Sequence, residues 1–275
     1  MPEEDKKKQK EEYLAILLIF KRLLESISKD INQWIVLEEL MALRAEFAIQ
    51  HAIKGFGMDY ENALELVRNY EGDLTDEEKE EKYILIAAID NLVDFAVAEE
   101  YQMAMELPNI DNVDWEDDSL EEICHKYNFR YSNIENLDIE YAMLVAAGLV
   151  GVQSRTVLTY MTQGDERVRP WHLQYEGFSA PKSEFPAWLI PPIENQCRCY
   201  LLIDEIVGKL PGVLAKKSEK VEMPEWFNPV FKESVALGGK IFSEAHRYFS
   251  IREEHKDKLS SISSRIKKKY LVDGE

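Results

Sequence analysis

The residues best suited to chemistry lie in one window, Thr162-Gln163-Gly164-Asp165-Glu166-Arg167-Val168-Arg169-Pro170-Trp171-His172, and in the later run Cys197-Arg198-Cys199. An imidazole and two thiols are ligands that zinc prefers, and a nearby carboxylate could supply a fourth. On that basis His172, Cys197, Cys199 and Asp165 would hold a structural zinc ion that staples a long loop to a strand. The spacing gives this mixed support, because structural zinc sites favour roughly two to four residues between paired cysteines, and Cys-x-Cys chelates less well. The same residues also make sense without a metal: the thiols pack as small apolar groups while Asp165, Arg169 and His172 form a buried polar network. A disulfide between Cys197 and Cys199 would close a very small, strained ring.

The neighbours of these groups have readable roles. Asp165 follows Gly164 in a tight turn, where an aspartate accepts backbone N–H groups and pairs with an arginine. In an extended segment Arg167 and Arg169 share one face and Val168 the other. The same alternation places Cys197 and Cys199 together and Arg198 opposite. Pro170 fixes the chain direction ahead of His172.

Taken in order, this window, then Gly177, Trp188, Pro191-Pro192 and Cys197-Arg198-Cys199, resembles the signature of the Mu protein F-like head morphogenesis family of tailed bacteriophages. That pattern runs approximately T-x-G-D-x-R-V-R-P-x-H, then a glycine, an aromatic, a proline pair and C-R-C. Upstream, Glu140-Tyr141 with Ala142 and Ala146 is similar to the E-Y-x-x-A helix that precedes the motif in many members. Downstream, Phe231, Gly239, Phe242, His246 and Tyr248-Phe249 are similar to a tail seen in some of them. The likeness spans about residues 135–250. Trp171 stands where serine is frequent, and Asn195-Gln196 replaces the small or aromatic residues usual before the first cysteine.

The resemblance implies a minor head protein, a structural component of the virion made in the host bacterial cytoplasm and packaged near the portal, acting in head assembly, DNA packaging or DNA delivery. It implies portal or capsid proteins as partners, and self-association into an oligomer is compatible with it. Asp165, Arg167, Arg169, His172, Gly177, Cys197, Arg198 and Cys199 are then a structural motif with no catalytic role. The contrasting class is an enzyme delivered with or acting on the phage genome, a nuclease or an ADP-ribosyltransferase-like protein, in which His shuttles protons and Arg holds phosphate. No phosphate-binding glycine loop, HExxH, GxSxG or paired-carboxylate motif supports it.

The elements that must position these residues are mainly helical. Apolar residues recur at helical spacing from Tyr13, after an almost wholly charged start expected to fray. A second helix is expected from about Ile31 to His51, broken by Gly55 and Gly57, and a third after Asp59. Thr75 and Glu78 form a capping box opening a long helix toward Met105, ended by Pro108. The acidic stretch Asp111 to Asp118 is a loop, and Ser119 with Glu122 opens a short helix carrying Cys124. Asn133 to Asn136 is turn-rich and marks a boundary. Beyond it, Glu140 to Val152 is a helix whose Ala146, Ala147 and Gly148 invite a close neighbour. Thr156 to Met161 and Arg198 to Ile203 are strands. After Pro211-Gly212 and Lys216-Lys217, helices cover Trp226 to Phe249 and Ile251 to Tyr270. The fold expected is α+β: a helical region 1–134, a small α/β module 135–215, and a linker with helices 216–275.

Composition bounds the partners. A chain of 275 residues with a formal charge of −19 cannot coat nucleic acid over its whole surface, because phosphate binding needs a basic face. Contact with packaged DNA would have to be local, at Arg265, Lys267, Lys268 and Lys269, a run equally readable as a solvated helix end. Three cysteines are too few for a secreted disulfide framework. The apolar run Tyr13 to Phe20 is too short for a bilayer, which takes about 20 residues. Flanked by charge, it suits docking into a groove on portal or capsid subunits through Leu14, Leu17, Leu18 and Phe20, or it is an ordinary core helix.

Overall fold

The computed structural model describes residues 3–29, 32–108, 119–204 and 221–271. The expectations for the acidic loop at 111–118, for Pro211-Gly212 and for Lys216-Lys217 lie outside the described residues. Seven α-helices are described: α1 (Glu3–Ser28), α2 (Gln33–Phe56), α3 (Tyr60–Arg68), α4 (Asp76–Met105), α5 (Ser119–His125), α6 (Ser132–Ala147) and α7 (Glu253–Lys267). Three short strands, β1 (Val157–Met161), β2 (Ser179–Pro181) and β3 (Tyr200–Asp204), form an antiparallel sheet ordered β2-β1-β3. The architecture is the α+β one expected.

Local chemistry sets the helix starts. Asn32 accepts from Trp34 N, and Asp59 accepts from Glu61 N and Asn62 N. Thr75 and Glu78 make both bonds of the capping box. The charged start of the chain is part of α1, not a frayed end. It is tied down by Gln9 donating to Phe129 O, Lys54 reaching Asp5, and His51 lying between Glu12 and Glu140. Gly57, at φ +82°, supplies the left-handed cap of α2. Gly55, by contrast, sits inside the helix.

Three expectations about the elements need correction. The apolar run of α1 is not one docking stripe. Phe20 is fully buried with Ile16, Leu23, Leu24 and Ile27, Leu17 is half-buried, and only Leu14 and Leu18 face outward, because helical geometry sends an unbroken apolar run to both faces. The turn expected at Asn133 to Asn136 is the first turn of α6, entered through a π-helical turn, Lys126–Tyr131. One contiguous buried cluster runs from Ile16 to Tyr270 across that point. Finally, Trp226 to Phe249 is not helical: it holds three short 3-10 turns, Pro229–Phe231, Val235–Leu237 and Arg247–Phe249. Pro229 and Gly238-Gly239 break the helix, and Asn228, Ser234 and His246 cap the turns instead. This strap is pinned to α4: Asn91 accepts from Ile241 N and Phe242 N and donates to Phe242 O, while Gln102 donates to Tyr248 O and Ser250 O.

α2 packs against both α4 and α6, α1 leans on α2, and α7 closes over α4. The close backbone approach expected at Gly148 occurs elsewhere: a Cβ at Gly55 would stand 2.3 Å from Glu140 O. Where α2, α4 and α6 meet, the core is polar. Arg44 donates to Glu99 at 2.7 Å, Asn136 at 3.1 Å and Glu135 at 3.4 Å, and Tyr248 donates to Glu135 at 2.8 Å. Burial raises the pKa of Glu99 and Glu135 and pushes Glu100 up to about 8.

Candidate metal centre

The motif occupies two connections. Residues 162–178 leave β1 and return into β2, and residues 182–199 leave β2 and enter β3. They are sewn to each other side chain by side chain. Gln163 donates to Arg198 O at 2.9 Å, and Arg198 grips Asp165 through both oxygens at 2.9 and 2.7 Å. Arg169 pairs with Glu194 and donates to Asn195 O at 3.0 Å. Cys197 and Cys199 precede β3 rather than lying on it, since the strand begins at Tyr200. The expected alternation nevertheless holds: both thiols turn inward and Arg198 turns out to Asp165.

Inside this seam His172, Cys197 and Cys199 converge, with one ligand atom of each within 4.8 Å of the others, the only such group among the described residues. All three are buried. His172 is oriented from both sides: Nδ1 is 3.0 Å from Cys199 Sγ, and Nε2 is 3.1 Å from Glu194 Oε1. A carboxylate holding the far nitrogen of a histidine is the usual support of a metal ligand. Burial opposes charge on His172, but Cys197 and Glu194 outweigh it and raise its pKa. The bond between the thiols, with burial, raises Cys197; the same bond lowers Cys199. All three cysteines, Cys124 included, are free.

Asp165 is not part of this group. It is exposed, accepts from Arg167 N, and has its pKa lowered by the bond from Arg198, so the fourth ligand suggested by the sequence is a surface clamp. The network of Asp165, Arg169 and His172 likewise separates into an outer Asp165–Arg198 pair and an inner Arg169–Glu194–His172 chain. Gly177, at φ +81°, donates to Tyr160 O at 2.8 Å and so fixes the strand behind the thiols. Arg167 and Arg169 do share a surface, lining with Arg198, Tyr141, Leu137 and Gln196 a cleft of about 500 Å³. Arg167 has no ion pair there among the described residues.

Helix α6 buttresses the site from behind. Tyr141 donates to Cys199 O at 2.5 Å, and Asp138 accepts from Gln196 N at 2.6 Å. Gln196 has φ +57°, the one non-glycine in the left-handed region among the described residues, and the buried Asp138, pushed up to about 8 chiefly by burial, holds it there. Glu194, Tyr160 and Asp138 carried no signal in the sequence as site residues, because each lies outside the motif's letters and reaches the site only through the fold.

Chemically, two soft thiols and an imidazole can hold a metal ion. The order Cys199, His172, Glu194 is also that of a nucleophile, base and orienting acid; Cys199 is 3% exposed, and Cys197, 4% exposed, lines the cleft with Arg167 and Arg169. Comparison with known proteins adds nothing to this: no family model, curated protein or solved structure matches the chain. Among the described residues no helix is long and apolar enough to cross a membrane.

Proposed function

We propose that this chain is a structural protein of the tailed-phage virion, a minor head protein of the Mu protein F-like kind, and that its motif is a packing module braced by zinc. The observation that carries the proposal is the convergence of His172, Cys197 and Cys199 at the seam between two long connections. Three of the charged motif residues hold that seam shut, Asp165 with Arg198 and Arg169 with Glu194 and Asn195, as a brace requires. Zinc suits the donor set, bound through the imidazole and the two thiolates with Glu194 fixing the ring.

Docking to portal or capsid subunits would use the outward residues of α1, Leu14 and Leu18, without Phe20. Contact with packaged DNA through the C-terminal basic run is weakened by its ion pairs: Arg265 is clamped by Glu38, and Lys267 by Asp90 and Asp94. Mass spectrometry of purified particles is expected to find the chain in the virion head, and its absence there overturns the assignment. Metal analysis of the purified protein is expected to give one zinc per chain, lost in Cys197→Ser. No metal in the wild type, with melting unchanged by chelator, removes the brace.

A further inference from the structure

Tyr160 and Asp138 each leave a buried oxygen at this seam without a partner, but Asp138 is anchored through its other oxygen and Tyr160 has no second polar side-chain atom. Its side chain is 0% exposed, and its hydroxyl lies against the Cys199 thiol yet finds no partner with hydrogen-bond geometry. Buried hydroxyls are ordinarily bonded, so an orphan at a candidate site asks for something the fold alone does not supply. Full burial leaves the ring no room to swing away in search of a partner, and the backbone that carries it is fixed. Tyr160 N donates to Phe178 O and its carbonyl accepts from Gly177 N, both at 2.8 Å, on one side, while β3 pairs with it at Leu201 on the other.

We propose that Tyr160 is a positioning residue of the metal centre, donating its O–H to the Cys199 thiolate that forms when the metal binds. This rests on the metal reading given above. A neutral thiol is a weak acceptor, so the hydroxyl gains little from it. On binding, each thiol gives its proton to solvent as its sulfur–metal bond forms, and the sulfur of Cys199 becomes a charged acceptor beside a fixed donor. Gly177 gains a purpose in the same stroke: its left-handed turn holds the carbonyl of the residue whose hydroxyl completes the site. Glu194 supports the imidazole and Tyr160 the thiolate, so two of the three ligands are supported from outside the ligand set.

The test compares wild type with Tyr160→Phe, which keeps the ring and removes only the hydroxyl. The metal-free variant is expected to melt no lower than the metal-free wild type, because an orphan has been deleted. Its zinc affinity in chelator competition is expected to fall about tenfold to a hundredfold, the range for losing a supporting group. With cobalt(II) in place of zinc, the thiolate-to-metal charge-transfer band is expected to move to longer wavelength, since a sulfur without its hydrogen bond gives up charge more easily. Equal affinity and an unmoved band in Tyr160→Phe overturn the role of Tyr160 while leaving the metal in place. A wild type that binds neither zinc nor cobalt overturns both. Should Tyr160→Phe fail to fold, 3-fluorotyrosine placed at 160, a stronger donor, is expected to move the band the opposite way, and no movement overturns the proposal.

Discussion

Glu100 gives the most demanding prediction. It is fully buried on α4, and burial pushes its pKa from the ordinary 4.5 up to about 8, with the charge of Arg44 opposing the rise. Asn128 donates to Glu100 Oε2 at 3.3 Å, while Glu100 Oε1 and Asn128 Oδ1 have no partner. A proton on Glu100 is expected to satisfy both, the acid O–H donating to the amide oxygen as the amide N–H donates to the acid. Below pH 4.5 the folded and unfolded chains both carry this proton, and it contributes no difference. Between 4.5 and about 8 the folded chain keeps a proton that the unfolded chain has lost, so stability falls as pH rises. At about 1.4 kcal/mol per pH unit, the loss is roughly 3 kcal/mol at pH 7 and roughly 5 kcal/mol above pH 8. Glu100→Gln carries the same reciprocal bonds without titrating. Urea unfolding at pH 4.5, 7 and 8.5 is expected to show the variant level with wild type at the first, and more stable by those two amounts at the others. Taking the difference between the two proteins removes the parallel titration of Asp138, while Glu99, whose pKa the charge of Glu100 helps to raise, moves with the substitution. A difference that does not change with pH, or a variant weaker than wild type at pH 8.5, refutes the protonated pair.

Arg44→Met leaves Glu99 and Glu135 facing each other without their cation and is expected to cost about 3–5 kcal/mol in the same assay. Gly55→Ala puts a Cβ 2.3 Å from Glu140 O, so α2 and α6 must part; a fall in Tm of several degrees is expected, and an unchanged Tm shows the helices to be further apart. Phe20→Ala is expected to lose about 3–5 kcal/mol, whereas Leu18→Glu, at a site 69% exposed, stays within about 0.5 kcal/mol and becomes the variant with which to test partner docking in assembling particles.

Much of the frame was legible because local rules decide it. Asp59 and the Thr75–Glu78 box began helices where side-chain acceptors meet free backbone N–H groups, and β-branched residues 156–161 gave β1. The strap 221–251 carries apolar residues at spacings a helix also uses, yet it folds as a chain of turns. Only the capping side chains and the anchor at Asn91 show that they face α4 from a chain of turns.

By itself, the sequence singled out His172, Cys197 and Cys199 by type and by their place in one motif, and left two groupings open, a shared metal or packed thiols beside a polar network. It also set the charge balance that keeps any nucleic-acid contact local. Tertiary structure decided who attends that trio. Asp165 was sent outward to Arg198, while Glu194, Tyr160 and Asp138 were brought in from a loop, a strand and a helix. Such partnerships depend on distances between segments far apart in the chain, set by packing of the whole core, and no local pattern of letters records them. The buried glutamates around Arg44 illustrate the same limit: three helices must pack before acids that would be solvated on any one of them are forced to share protons.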